Sequence, residues 1–199
     1  MEADYLKYAD SIDHEKIPFR GIGTYYTYYI SPNDTTLYCG FSLEGVSNPD
    51  ELFEYGLGGM RDVQMAPSSA FGLADVRITG VCLVDGGKCN YFIGKDKINP
   101  ASANSLTTLM WDAYEEDLDG DGVTEVVIVA PNQPIRKIYI YKYTKGRMEW
   151  TEVTEALKRE PVDKIMYDSK NKRFIAQSGS VATSYRYAEG KDRLIRVKQ

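Results

Sequence analysis

The sequence predicts a mainly β protein, a small or incomplete propeller-like array of antiparallel hairpins with one or two short helices; the alternative architecture is a β-sandwich. Three observations predict this. Short runs rich in β-branched and aromatic residues recur, and turn-forming residues separate them about every 8 to 12 positions. Helical periodicity is scarce. Residues 108–153 have the size of one four-strand unit, and 163–197 make a shorter one; the two share almost no sequence, so only shape would repeat.

Taken in order, Ala3 to Ile12 places Tyr5, Leu6, Tyr8, Ala9 and Ile12 on one face at helical spacing and predicts a first short helix. Gly23 to Ile30 and Thr35 to Leu43 flank Ser31-Pro32-Asn33-Asp34, with Pro at the second turn position. Asn48-Pro49-Asp50 can open a second short helix through Phe53 and Tyr55, stopped by Gly56. Residues 57–75 and 94–107 read as connectors. Between them, Val76 to Val84 and Lys88 to Ile93 flank Asp85-Gly86-Gly87. Thr108 to Tyr114 and Thr124 to Ala130 enclose an acidic loop, and Lys137 to Tyr143 and Arg147 to Val153 enclose Thr144-Lys145-Gly146. Glu152 to Arg159 has room for one or two helical turns. Four more short strands follow Pro161, at 164–167, 173–176, 183–187 and 194–197.

The chain has 199 residues and a formal net charge of −5. That length suits one domain over residues 1–199, with a possible subdivision into a Tyr-rich region, 1–104, and a region containing the acidic loop, 105–199. No apolar run approaches the ~18 residues of a membrane span. The mild acidity argues against a nucleic-acid partner, and the late basic residues (Lys164, Lys170, Lys172, Arg173, Arg186, Arg193, Arg196) alternate with acidic and apolar ones like solvated faces of a sheet. The start, MEADYLKYAD, lacks the charged and apolar regions of a signal peptide, so the chain is expected to be either cytoplasmic or a mature exported chain with an added methionine.

Three cysteines allow at most one internal bridge. If Gly86-Gly87 forms a two-residue loop, Cys89 faces Val84 and Cys82 is one diagonal step away, at the edge of disulfide geometry; buried free thiols are the alternative. No CxxC pair exists, which excludes a zinc ribbon.

The segment of sharpest chemical character is Asp117-Leu118-Asp119-Gly120-Asp121-Gly122-Val123-Thr124-Glu125. Carboxylates on alternate residues can converge on one hard cation if the backbone curls, and Gly122 supplies that freedom. The expected Ca2+ ligands are the side chains of Asp117, Asp119, Asp121 and Glu125 and the backbone carbonyl of Val123. An EF-hand is excluded twice over. Its twelfth position would be Ile128, and Glu-Val-Val-Ile-Val after the loop favours strand rather than helix. A polar Asp/Gly turn without metal is the competing reading.

DLDGDGVTEVVIV resembles the Asp-x-Asp-x-Asp-Gly-x-x-Asp loop of FG-GAP or VCBS-type repeats, the blades of integrin-α-like propellers, and KIYIYKYTKGRMEWTEV resembles the strand pair that follows it. The resemblance covers about residues 108–155. It implies a calcium-rigidified loop between two strands of a blade, with Asp117, Asp119, Asp121, Val123 and Glu125 as ligands. Glu125 replaces the usual last Asp, one loop is present where a full propeller carries several, and Phe71-Gly72 lacks the Gly-Ala-Pro that would mark a second blade.

Other chemistry is thin. His14 is the single histidine, in Asp13-His14-Glu15 at the end of the first predicted helix; it reads as a capping residue, and its solitude removes multi-histidine metal centres. Glu115 and Glu116, with Glu44, Asp50, Glu51 and Glu54, are the carboxylates a glycosidase would need in pairs. Gly21-Ile22-Gly23 lacks the third glycine of a dinucleotide fingerprint. Tyr25-Tyr26-Thr27-Tyr28-Tyr29 puts aromatic groups on both strand faces, which suits burial on both sides or a recognition platform. Tyr139, Tyr141 and Tyr143 alternate with Ile138 and Ile140; if the isoleucines are core, the tyrosines become the better recognition surface.

These readings lead first to a calcium-stabilised, all-β binding module of the cell surface or envelope, not an enzyme, whose partner is a protein or carbohydrate. The extracellular or envelope location follows from the modest calcium affinity of extracellular modules. A glycan-acting hydrolase with acidic catalytic residues and a protein inhibitor of a cell-wall hydrolase are the alternatives.

Overall fold

The computed structural model describes residues 4–7, 12–29, 32–33, 35, 37–45, 51–57, 60–83, 86–95, 103–131, 137–157, 162–188 and 193–197. The protein is mainly β. It divides into two compact units, one formed by residues 1–68 and 73–109, the other by 69–72 and 110–199.

The first unit holds two antiparallel sheets. One is five-stranded, built from β1 (Asp4–Lys7), β2 (Ile12–Phe19), β3 (Gly23–Tyr29), β4 (Tyr38–Leu43) and β5 (Glu51–Leu57) in the spatial order β1-β5-β4-β3-β2. The other contains β6 (Met60–Pro67), β7 (Val76–Cys82), β8 (Lys88–Lys95) and β9 (Ala103–Met110) in sequential order. Pro18 and Pro67 both lie on edge strands, β2 and β6, where a missing N–H costs no ladder bond.

In their described residues, both helices expected in this unit are strands. Residues 4–7 and 51–57 pair with each other, Tyr5 opposite Phe53 and Leu6 opposite Leu52. Their apolar residues satisfy helical spacing locally, but a partner about fifty positions away offers each a complete hydrogen-bond ladder, and tertiary pairing overrides the local period. The opening Asn48-Pro49-Asp50 lies outside the described residues. His14 accordingly ends no helix: it sits inside β2, where the register against β3 shifts between Asp13 and Glu15. The two predicted connectors are likewise partly strand, containing β6 and most of β9.

The Tyr-rich β3 is buried on both faces. Tyr25 and Thr27 are buried on one side and Tyr28 on the other, with Tyr28 stacked on its cross-strand neighbour Tyr38 at 6.0 Å. Tyr26 is half-buried under the Lys16 ammonium. Tyr25 Oη accepts the Met60 N–H at 2.9 Å, tying β3 to the start of β6.

The β7–β8 hairpin carries the Cys82–Cys89 disulfide, with Cα atoms 5.8 Å apart. The pair is diagonal, but by a different register from the one expected: Cys89 faces Gly80 rather than Val84, because β7 ends at Cys82 and the turn closes through Cys82 N–H to Gly87 O and Gly86 N–H to Cys82 O. Cys39 is buried and takes no part in a disulfide.

The single strand expected at 108–114 is broken at Trp111, whose φ is +74°. Before it, β9 completes the last sheet of the first unit. After it, the second unit begins with a four-stranded antiparallel sheet, β10 (Asp112–Glu116), β11 (Glu125–Val129), β12 (Ile138–Thr144) and β13 (Arg147–Glu152), in sequential order. One short helix, α1 (Val153–Ala156), follows. The last sheet is β14 (Lys164–Asp168), β15 (Arg173–Ser178), β16 (Val181–Ala188) and β17 (Arg193–Arg196), again sequential. One core joins both sheets: Val127 and Val129 from β11, Ile138 and Ile140 from β12, Val153 and Leu157 around α1, and Ile165, Phe174, Ala176, Tyr185 and Tyr187 from the last sheet. Fully burying an Ile or Phe side chain is worth about 1.5–3 kcal/mol, so this cluster holds the unit together. No helix among the described residues is long and apolar enough to cross a membrane.

Candidate metal centre

The β10–β11 hairpin sets the site. Its last cross-strand pair is Glu116 opposite Glu125, and the acidic loop spans the connection between them. Side chains alternate along β11, so Glu125 faces the same way as the core residues Val127 and Val129. Its carboxyl is therefore carried into the edge of the core, where Glu125 is only 2% exposed.

The loop is wound by its own carboxylates. Asp117 Oδ1 accepts the Gly120 N–H at 2.8 Å and Asp117 Oδ2 the Gly122 N–H at 3.2 Å. Asp119 Oδ1 accepts from Asp121 N–H at 3.3 Å, and Asp121 Oδ1 from Val123 N–H at 2.7 Å. Glu125 Oε2 reaches back to the Leu118 N–H at 2.9 Å and closes the ring. Gly122 has a φ of +85°, the left-handed conformation that an alternating-acid loop requires of its sixth residue.

This winding brings one oxygen each of Asp117, Asp119 and Glu125 within 4.8 Å of one another. Two oxygens bound to one calcium at ~2.4 Å can be at most about 4.8 Å apart, so the three fit a common hard cation. Asp121 is not in that group; its Oδ1 is committed to Val123. Val123 is held through its N–H and remains the carbonyl on the return limb of the loop.

The electrostatics are those of like charges held together. Burial first, and then the charges of Asp119, Asp121 and Asp117, push the Glu125 carboxyl up to about 7, against the lowering effect of the Leu118 N–H. Asp119 is also raised, by desolvation and then by Asp121 and Asp117. Positive groups also act on the loop: Lys172 Nζ is 3.3 Å from Glu116 Oε2 and 3.3 Å from the Asp117 carbonyl, and the Lys142 ammonium works to lower the Asp119 carboxyl. Three carboxylate oxygens converging in this way, from Asp117, Asp119 and Glu125, can hold a hard cation.

Residues outside the loop contribute in a way that local sequence reading misses. Ser69–Gly72, between β6 and β7, lies along the return limb. Ala70 forms a parallel bridge with Thr124, and the Phe71 N–H donates to the Thr124 carbonyl at 2.7 Å. The Ser69 N–H donates to Glu115 Oε2 at 3.3 Å. No local sequence signal marks this contact; in the structure Phe71 and Gly72 have adjacent positive φ values of +64° and +63°.

Of the carboxylates expected of a hydrolase, Glu115 and Glu116 do not converge with each other, and the side chains of Glu51 and Glu54 lie outside the described residues. Glu115 and Glu116 are adjacent on a strand and so face opposite ways, one toward Ser69 and the other toward Lys172. Glu44 Oε1 accepts the Gly21 N–H. Asp50 lies outside the described residues.

The second candidate surface is aromatic. Ile138 and Ile140 are buried, and the alternating Tyr139 and Tyr141 are half-buried on the opposite face, with Tyr143 exposed beyond them. Trp150, opposite Tyr141 on β13, is 59% exposed and meets the Tyr139 ring edge-on at 5.7 Å.

Compared with known proteins, the chain matches no family model, no curated protein and no solved structure.

Proposed function

We propose that this protein is a calcium-stabilised β binding module of the cell surface or envelope, its calcium structural and held by Asp117, Asp119, Asp121, the Val123 carbonyl and Glu125. The observation that carries the reading is the convergence of Asp117, Asp119 and a buried Glu125 within 4.8 Å. A carboxylate cluster at the edge of a core is self-repelling, and a divalent cation is the simplest group that relieves it. The hairpin disulfide supports an oxidising, exported location. Sets of four or five antiparallel strands are what blades are made of, which supports a propeller-like array of the FG-GAP or VCBS type. The partner, a protein or carbohydrate, is placed on the Tyr139–Tyr141–Trp150 face, since aromatic groups offer large contact area at low entropic cost.

Calcium calorimetry paired with thermal melts in calcium and in chelator tests this. The expected result is one bound ion and a higher melting temperature; at one hundred times its Kd the ion contributes about 2.7 kcal/mol. Absence of binding at several millimolar calcium would return the loop to an acidic turn. Asp119→Ala should abolish the calcium-dependent gain and leave the melt in chelator no lower. Trp150→Ala should leave the calcium isotherm unchanged and weaken partner binding only.

A further inference from the structure

Among the described residues, the strap Ser69–Gly72 is the feature that the proposed function leaves unused. It reaches the acidic loop from far upstream in the chain and belongs to the same compact unit. Four contacts tie it to two residues: the Ala70–Thr124 bridge, the Phe71 N–H on the Thr124 carbonyl, the Ser69 hydroxyl 3.1 Å from Thr124 Oγ1, and the Ser69 N–H on Glu115. Ala70 and Phe71 are buried. Phe71 holds a left-handed backbone that a β-carbon disfavours, at +64°, and such a conformation persists only where its surroundings over-determine it. The Thr124 contacts supply that constraint.

On the loop side, Thr124 precedes Glu125, whose carboxylate receives the Leu118 N–H, and Leu118 follows the Asp117 that winds the loop. An uninterrupted path of hydrogen bonds and chain therefore runs from Phe71 to Gly120 and Gly122. We propose that strap and loop open and close as one cooperative unit, so that whatever orders either part is felt at the other. The coupling stands on these contacts and not on a cation. It makes the strap the readout of the loop: a group that rigidifies residues 117–125 tightens residues 69–72, and displacement of the strap loosens the loop.

Native-state amide hydrogen exchange on the full chain, in chelator, tests the coupling without involving calcium. Asp117→Asn weakens the acceptors of the Gly120 and Gly122 N–H groups, which belong to the loop and not to the strap. It should speed exchange of the Phe71 amide about fivefold or more, the range of ordinary coupling between sites. Ser69→Ala removes the hydroxyl contact with Thr124 and should speed the Leu118 amide as well, because a cooperative unit opens as a whole. The amides of β15 serve as the control and should not change. An unchanged Phe71 amide in the first variant or an unchanged Leu118 amide in the second would overturn the proposal. So would an equal rise throughout β15, which would mean that the whole unit loosens rather than a coupled part of it. Because no calcium is present, none of these outcomes bears on whether the loop binds it.

Discussion

Two hairpin connections, one in each unit, solve the same problem by opposite means. Between β7 and β8 the chain closes its turn with a covalent bond, Cys82–Cys89, and two backbone hydrogen bonds. Between β10 and β11 it closes a longer turn with carboxylates accepting N–H groups, and those carboxylates repel one another while Glu125 is held in the core. The first connection is complete with the chain's own atoms. The second is wound but electrostatically unbalanced: Glu125 stays raised although Lys172 stands at the rim and Lys142 acts on Asp119. Self-sufficiency marks a structural turn, whereas imbalance marks a turn whose energetics depend on what surrounds it.

That contrast can be broken at Glu125, where the largest effect is expected. Its carboxyl is pushed up to about 7 from an ordinary 4.5, so without a cation the folded chain binds more protons than the unfolded one across that window. Stability in chelator should therefore fall as pH rises from about 4.5 to 7, by up to about 3 kcal/mol. Denaturant melts of Glu125→Gln should lose this slope and be more stable than the parent in chelator above pH 7. A parent protein whose stability in chelator is flat across the window would show the loop to be balanced after all.

Replacing Cys82 and Cys89 with Ala should cost slightly less, about 2.5 kcal/mol from the loop entropy of so short a closure, and equally with and without calcium. A calcium-dependent loss would link the two connections. The turn glycines sharpen the comparison further. Gly86 and Gly122 have φ of +69° and +85° with open space where a Cβ would stand, so each Gly→Ala change should cost about 1 kcal/mol of backbone strain. If calcium enlarges the cost at Gly122 but not at Gly86, the ion requires this backbone geometry. The smallest effect belongs to Lys172→Ala, about 0.5 kcal/mol by chemical denaturation and weaker still in high salt, because the ion pair is partly exposed.

Much of the second unit was legible because its signals are local. Glu125-Val-Val-Ile-Val is β-branched and bounded by an acidic Gly-rich turn, and Thr144-Lys145-Gly146 marks its hairpin in three residues; the strands at these places are β11, β12 and β13. Alternation put Ile138 and Ile140 on one face and the tyrosines on the other, and the isoleucine face is the buried one. The acid spacing nominated Asp117, Asp119, Asp121, Val123 and Glu125; the hairpin brings Asp117, Asp119 and Glu125 together, since the curl depends on residues within the loop itself, and leaves Asp121 outside that group. The first unit resisted the same treatment. Its sheet joins β1 to β5 across most of the unit, and neither segment carries the hydrogen-bond partner that decides its conformation.

The sequence by itself determined the β character, several of the turns that carry glycine and the loop in which acids converge, because propensity, turn chemistry and alternation act over a few residues. Tertiary structure alone decided that the segments at 4–7 and 51–57 are strands, that Trp111 separates two sheets, that Glu125 is buried, and that Ser69–Gly72 seats on Thr124. Each of those depends on which distant backbone supplies a hydrogen-bond partner and which side chains exclude water, and such partners are chosen only when the chain has folded.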